Sequence, residues 1–170
     1  MTQYIGDVVV TLGRVILELS TKCKDKVQNE KTIIETIKSG RAYEKFREMI
    51  ASQYGSLEYI DDVAKFPTAK FVIPVYSTDD GYVEKIDADV VGSIARYLGA
   101  GRMNKNSEID RAAGIELKKK ISDEVKSGDI LAYIHTNDES KVMGATQNLK
   151  DAFKITTRKI FIKSKILEVI

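Results

Sequence analysis

The apolar residues of this chain change their spacing once, near Pro67, and the change divides the sequence into two parts. Before Pro67 they recur every three or four positions, as on one face of a helix. After it they alternate with polar residues, as in half-buried strands. Pro67 also disfavours helical geometry in the residue before it. We therefore predict a helical segment over residues 1–66 and a separate domain over residues 67–170.

Three helices are predicted in the helical segment. The first follows Asp7, which we interpret as its N-cap, and ends between Ser20 and Cys23. The second covers residues 30–39 and the third residues 41–55, with a glycine marking the end of each. Three helices alone leave much of their apolar faces uncovered. We therefore expect these faces to pack against protein outside the helical segment. The residues expected on those faces are Val8, Val9, Leu12, Val15, Ile16, Leu19, Ile33, Ile34, Ile37, Ala42, Phe46, Met49 and Ile50.

Two stretches of the second part share a strand pattern punctuated by glycine and aspartate, namely residues 80–87 and 118–135. Gly81 and Gly128 permit backbone geometry that a side chain would block. Asp123 and Asp129 are predicted in turns, where a carboxylate accepts nearby backbone N–H groups. The pattern is typical of barrel-sandwich hybrids, whose tightly coiled strands enclose an apolar interior. The residues expected in that interior are Val83, Ile86, Ile121, Val125, Ile130 and Leu131.

A helix and a polar loop, residues 88–113, separate these two halves. The helix ends at Gly99, and a second helix over residues 139–153 and a closing strand over residues 159–170 follow later. The predicted fold is therefore α+β: a helical segment followed by a barrel-sandwich-hybrid-like (α/β-hammerhead) C-terminal domain with an inserted helix. The residues expected on the buried side of the inserted helix are Val90, Val91, Ile94, Ala95 and Leu98.

Composition and charge argue against several classes of function. The 27 basic and 25 acidic residues leave a net charge of only +2, so a nucleic-acid-coating protein is not expected. One cysteine forms no intramolecular disulfide, and one cysteine with one histidine makes a zinc site improbable, so we predict no metal and no cofactor. No apolar run approaches the roughly 20 residues of a membrane span, and the start shows no signal peptide. We expect a cytoplasmic protein.

Along nearly its whole length the chain resembles the C-terminal portion of the pyrimidine-nucleoside phosphorylase family, which includes thymidine phosphorylase. Residues 6–17 are similar to a helix near the end of the family's large central domain, and residues 39–62 to its SGKALEKF stretch. Residues 80–139 follow the family's last domain closely, most specifically from Leu98 to Arg102. The chain departs from the family at Lys118, where histidine is common, and at Ser122, where glycine is usual.

The resemblance implies a reaction: phosphate attacks C1′ of a pyrimidine nucleoside, giving the free base and a pentose 1-phosphate in nucleoside salvage. It also implies that the phosphate loop, the base-binding residues and any potassium site lie in family segments that this sequence does not match. We therefore expect no catalytic residue here, and Met1 to mark a truncated or split reading frame. Phosphate and nucleoside would be partners of the complete enzyme, a homodimer in this family.

The resemblance also points to one set of candidate site residues. Residues 99–107, here called the cleft loop, resemble a family loop that lies near the active-site cleft and becomes ordered when the cleft closes. Gly99 and Gly101 would give this loop freedom to move, and Arg102 and Lys105 would give it positive charge. A helix end followed by an ordinary polar loop is the competing interpretation.

Three classes of function remain open, as does the question of whether this chain is itself an enzyme. In the first it is part of a nucleoside phosphorylase, contributing scaffold and cleft loop, and inactive alone. In the second it is a non-catalytic remnant or an interaction module that pairs with a separate N-terminal half. The third, a lipoyl- or biotinyl-like carrier, is disfavoured because residues 118–120 fall inside a strand pattern rather than at a hairpin tip.

Overall fold

The computed structural model of the protein describes residues 3–20 and 24–161. These residues form two compact units, one ending at Lys65 and the other beginning at Phe66. Helices and small antiparallel sheets both contribute to the structure, so the predicted α+β class is confirmed.

The first unit is helical. Asp25 caps the second helix, because its carboxylate accepts the Gln28 N–H at 3.0 Å. Gly40 separates the second and third helices in a left-handed conformation (φ 82°) that favours glycine. The helices are α1 Gln3–Ser20, α2 Lys26–Lys38, α3 Arg41–Ser52 and the short α4 Glu58–Asp61, followed by a 3₁₀ turn at Val63–Lys65.

Two predicted helix starts are wrong. Asp7 lies inside α1, which begins at Gln3, so it is not an N-cap. The second helix begins at Lys26, before the predicted residue 30, since the capping residue is Asp25. The possible end of α1 at Cys23 lies outside the described residues.

The apolar faces predicted for the first unit are largely uncovered. On α1 the exposed fractions are 59% for Leu12, 62% for Ile16 and 81% for Leu19. In the described part of this unit the buried residues are polar, namely Arg14 and Asn29. Arg14 reaches Glu18 at 2.5 Å and Glu30 at 3.4 Å, and its ion pair with Glu30 joins α1 to α2.

The second unit contains two three-stranded antiparallel sheets. Sheet A has the strand order β1-β5-β3 and sheet B the order β4-β2-β6. The strands are β1 Phe71–Tyr76, β2 Gly81–Ile86, β3 Gly114–Leu117, β4 Glu124–Val125, β5 Ile130–Thr136 and β6 Phe153–Thr156. The helices are α5 Ala88–Ala95, which continues into a π-helical turn Arg96–Ala100, and α6 Val142–Asp151, which follows a 3₁₀ turn Glu139–Lys141.

The two glycine- and aspartate-rich stretches pair with each other in sheet B. Gly81 lies opposite Val125, and the pairing continues beyond β4, where Ser122 N–H donates to the Val83 carbonyl at 2.8 Å. The turn roles of both aspartates are confirmed: Asp123 accepts the Lys120 N–H at 2.7 Å, and Asp129 accepts the Lys126 N–H at 3.2 Å.

The apolar core of the second unit lies between the sheets and their helices. Two residues predicted inside it are instead exposed. Ile121 is 40% exposed because the positive φ of Ser122 (78°) turns the chain there and breaks the strand alternation. Val90 is 38% exposed because it stands on the outer side of α5. The buried core residues are Val75, Val83, Ile94, Leu98, Val125, Leu131, Ala132, Ile134, Ala145, Leu149 and Phe153.

The last strand is also displaced from its predicted place. The chain leaves α6 at Ala152 and enters β6 at once, so that Phe153 pairs with Ile86 and is buried. Residues 159–161 belong to no strand, and the rest of the predicted strand, residues 162–170, lies outside the described residues.

Candidate functional site

The cleft loop begins where α5 widens into the π-helical turn. Leu98, the last core residue of this turn, is buried, while Gly99 adopts φ 123°, which disfavours any other residue. A Cβ on Gly99 would lie 3.1 Å from the Cβ of Asp110. Gly101 is extended (φ −154°) and therefore needs no glycine conformation, but a Cβ there would lie 3.3 Å from Cγ of Arg96.

Asp110 closes the neck of the loop, which we define as Gly99 together with Asp110. The Asp110 N–H donates to the Gly99 carbonyl at 2.9 Å, and the Asp110 Oδ1 accepts the Ala112 N–H at 2.9 Å. Its Oδ2 accepts Nδ2 of Asn137 at 2.8 Å, and the Oδ1 of Asn137 in turn accepts the Lys70 N–H at 2.8 Å. The neck is thus attached to sheet A through side chains that the sequence analysis did not select.

The tip of the loop is held by bonds within itself. The Asn104 N–H donates to the Ser107 Oγ at 3.1 Å, and the Ser107 N–H donates back to the Asn104 carbonyl at 3.2 Å. The Asn106 N–H donates to the Asn104 Oδ1 at 3.0 Å. These bonds make a small turn that carries Lys105 outward.

The cations of the loop are available to a ligand. Arg102 and Lys105 are exposed, and neither forms a side-chain hydrogen bond or an ion pair within residues 3–20 and 24–161. The same holds for Arg96 at the base of the loop and for Arg111 after its neck, whereas Glu108 adds one exposed carboxylate between them. The four candidate residues therefore lie on one segment: Gly99, Gly101, Arg102 and Lys105. Its positive side chains have no partner in the described part of the chain and can bind an anion.

The lysines at residues 118–120 are arranged differently. They lie in the connection between β3 and β4 and not inside a strand, so that prediction is wrong. Lys118 Nζ lies 2.5 Å from Glu116 Oε1, and this hydrogen bond lowers the pKa of the Glu116 carboxyl. Lys119 Nζ lies 2.9 Å from Asp129 Oδ2, which likewise lowers the pKa of Asp129. Both lysines are held by carboxylates rather than presented at a free hairpin tip.

The described residues contain neither a cluster of metal ligands nor a membrane-spanning helix. Across residues 3–20 and 24–161, no three histidine, cysteine, aspartate or glutamate side chains come together as metal ligands would. In the same part of the chain, every helix is too short or too polar to cross a membrane.

Comparison with known proteins shows which family the chain is similar to. Residues 82–156 match the family model described as the pyrimidine nucleoside phosphorylase C-terminal domain. The pyrimidine-nucleoside phosphorylase of Geobacillus stearothermophilus is 36% identical over 150 residues, which cover 88% of this chain and 34% of that protein. The Bacillus subtilis enzyme of the same name is 37% identical over 136 residues, covering 80% and 31%. The Staphylococcus aureus (strain USA300) enzyme is 37% identical over 133 residues, covering 78% and 31%.

The chain spans about a third of the length of the curated relatives it matches. The cleft loop, its neck and the paired strands of sheet B all fall within the matched residues 82–156. The resemblance predicted from the sequence is confirmed: the chain corresponds to the C-terminal portion of the pyrimidine-nucleoside phosphorylase family, with the family's C-terminal domain at residues 82–156.

Proposed function

We propose that this chain supplies the C-terminal part of a pyrimidine-nucleoside phosphorylase, as scaffold and as a loop that closes over the substrates. The observation that supports this role is the cleft loop: its neck is bonded to sheet A, while Arg102 and Lys105 stand outward without partners in the described part of the chain. A loop built in this way presents charge at a fixed place and leaves that charge free for an anionic substrate.

The proposed reaction explains why positive charge is useful at the cleft loop. Phosphate attacks C1′ of the nucleoside, the bond from C1′ to the base nitrogen breaks, and its electron pair leaves with the base. Phosphate is an anion and the departing base gains negative charge, so a guanidinium that approaches on closure stabilises the transition state. We assign this role to Arg102, with Lys105 beside it, and place the groups that grip phosphate and base outside these 170 residues.

The finer description of the fold is part of the same proposal. We propose that sheets A and B with the inserted α5 form a barrel-sandwich hybrid of the α/β-hammerhead type, within the domain that the sequence predicts over residues 67–170. The pairing of Gly81 with Val125 and the positive φ angles of Gly81 and Gly128 support this description, since coiled strands need such turns. The resemblance further implies that the assembled enzyme is a cytoplasmic homodimer of nucleoside salvage.

A second function is supported by the first unit. The exposed apolar faces of α1 and α3 favour an interaction module that pairs with a separate N-terminal half. The carrier function is disfavoured, because Lys118 and Lys119 are paired with carboxylates and β3 and β4 belong to different sheets, so no tight hairpin presents them.

Release of free uracil or thymine from uridine or thymidine in phosphate tests the proposal. The chain alone should release none, and the chain mixed with the N-terminal two thirds of the Geobacillus stearothermophilus relative should be active. In the active assembly, Arg102→Ala should lower kcat/KM about tenfold through loss of transition-state charge stabilisation. Arg158→Ala, which removes another exposed arginine of the same unit, should leave kcat/KM unchanged.

Two results would contradict the proposal. Turnover by the chain alone would place the chemistry inside these 170 residues. Equal kcat/KM for Arg102→Ala and the unaltered assembly would remove the charge-stabilising role of the cleft loop. An assembly that forms a stable complex but stays inactive would favour the interaction module instead.

A further inference from the structure

Asn137 lies directly after β5, the central strand of sheet A, and uses both ends of its amide. Its Nδ2 donates to Asp110 Oδ2 and its Oδ1 accepts the Lys70 N–H, each at 2.8 Å. Lys70 immediately precedes β1, and Asp110 precedes β3 by a few residues. One side chain at the end of the central strand therefore links the starts of both neighbouring strands.

Asp110 is the other half of this link and also closes the loop. Its N–H holds the Gly99 carbonyl, its Oδ1 holds the Ala112 N–H, and its Oδ2 receives the Asn137 amide. The backbone N–H and both carboxylate oxygens of Asp110 therefore each have a hydrogen-bond partner. Residues 100–109 lie between the two ends of the neck as a compact surface loop.

We propose that Asp110 and Asn137 are positioning residues for the cleft loop, an inference that rests on the proposed function of that loop. The bonds at the tip are local and leave its orientation undetermined. The other hydrogen bonds of Asp110, with Gly99, Ala112 and Ala113, are local and do not reach β5 or β1. The pair therefore sets where Arg102 stands relative to sheet A, and it ties the loop to Lys70, where the chain enters the unit.

The direction of each hydrogen bond provides a sharp test. Asn137→Asp sets two carboxylates against each other, and Asp110→Asn sets two amide donors against each other. The double variant Asp110→Asn/Asn137→Asp exchanges the groups: the new amide donates to the new carboxylate, whose other oxygen still accepts the Lys70 N–H. The Ala112 N–H also keeps its acceptor. Aspartate and asparagine have nearly the same size, so a contribution that depends only on side-chain size would be unchanged in all three variants.

The measurement is hydrogen–deuterium exchange of the amides at residues 100–109 in the full chain, followed by mass spectrometry. Each single variant should raise the exchange rate about tenfold, because the neck opens more often. The double variant should return it to the wild-type rate. Gln147→Ala, which removes a side-chain hydrogen bond from Gln147 to Asp151 on α6, should leave the loop rate unchanged.

Unchanged loop exchange in both single variants would overturn the inference, as would a double variant that exchanges as fast as the single ones. The single variants could also speed amide exchange in β5, which would indicate a wider loss of structure. The double variant then distinguishes the two causes, because the swap restores slow exchange only if the specific hydrogen bond between residues 110 and 137 is responsible. In the active assembly the single variants should lower kcat more than they raise KM for phosphate, because a displaced Arg102 stabilises the transition state less. If loop exchange responds while both kinetic parameters stay unchanged, the positioning role stands and the catalytic role of the loop fails.

Discussion

Gly81 and Gly92 belong to the same unit but require glycine to different degrees. Gly81 has φ 149°, and a Cβ there would lie 2.3 Å from the carbonyl oxygen of Thr156, so conformation and space both exclude a side chain. Gly92 lies inside α5, and a Cβ there would meet no atom within 4 Å. The first glycine is needed by the close approach of β2 to β6, while the second only weakens a helix.

We predict that Gly81→Ala lowers the free energy of unfolding by about 2–4 kcal/mol, because strain and steric overlap act together. Gly92→Ala should raise it by up to about 1 kcal/mol, since alanine is the better helix former. Urea titration of both variants, monitored by circular dichroism, measures the two changes. Equal effects of the two substitutions would show that β6 does not approach Gly81 as closely as described.

At the scale of elements, the short α4 is held against α3 by a cluster around Asp61. Arg47 Nε lies 2.8 Å from Asp61 Oδ1 in an ion pair, and Arg47 Nη2 donates a hydrogen bond to Asp61 Oδ2 at 3.0 Å. The Tyr43 hydroxyl lies 3.1 Å from the same Oδ1 and 2.9 Å from the Ile60 carbonyl oxygen. The hydrogen bond from Arg47, and then that from Tyr43, lower the pKa of Asp61.

This lowered pKa fixes the sign of a pH dependence. A carboxyl whose pKa is lower in the folded than in the unfolded protein contributes stability above its unfolded pKa, about 3.9. The contribution is lost as the pH falls through the folded pKa. Asp61→Asn should therefore lower the melting temperature of the first unit by a few degrees at pH 7, with the difference from wild type vanishing at low pH.

Thermal unfolding measured from pH 7 down to pH 2 checks this expectation. Asp62→Asn is the matched control: Asp62 has no ion pair in the described part of the chain, and asparagine keeps an acceptor for the Ala64 N–H. The control should show little change at any pH. A difference between Asp61→Asn and wild type that persists at low pH would mean that the ionised carboxylate is not what joins α3 to α4.

Elements whose signal is local were predicted well from the sequence. The positive φ of Gly81 and Gly128 and the turn roles of Asp123 and Asp129 follow from residue types a few positions apart. The strand at residues 153–156 was missed because no glycine or proline separates it from α6, and its partner β2 lies far away in sequence. Strand pairing decides such an element, and periodicity alone does not reveal it.

The candidate site was predicted only in part for the same reason. Arg102 and Lys105 were chosen because their segment resembles a family loop, and the structure places them outward on that loop. Asn137 was not chosen, although it holds the neck, because its contact with Asp110 bridges 27 positions of sequence. An asparagine after a strand carries no signal by itself, since such residues occur in ordinary turns.

At the scale of the whole molecule, buried apolar residues are distributed unequally. The second unit has a continuous apolar core that joins both sheets to α5 and α6. In the described part of the first unit, the buried residues are Arg14 and Asn29, and the large apolar side chains remain partly or largely exposed. The relatives are about two and a half times as long as this chain, and we propose that residues corresponding to their additional length cover these faces.

The α1 face formed by Leu12, Ile16 and Leu19 should therefore control how the chain associates. Exposed apolar patches drive association in water, so the isolated chain should form oligomers at micromolar concentration, measured by sedimentation velocity. The double variant Ile16→Lys/Leu19→Lys should remain monomeric, with its helix content unchanged by circular dichroism. It should also weaken binding to the N-terminal two thirds of the Geobacillus stearothermophilus relative by at least about tenfold, because buried charge is costly.

Met143→Lys separates this effect from a general gain of positive charge. Met143 is 85% exposed on α6 of the second unit, so its substitution adds a lysine without altering the α1 face. Oligomers should persist in Met143→Lys. If they disappear there as well, or persist in Ile16→Lys/Leu19→Lys, association does not run through α1. The chain would then need another surface to join the rest of an enzyme, and α3, with Phe46 and Met49 exposed, would be the next to alter.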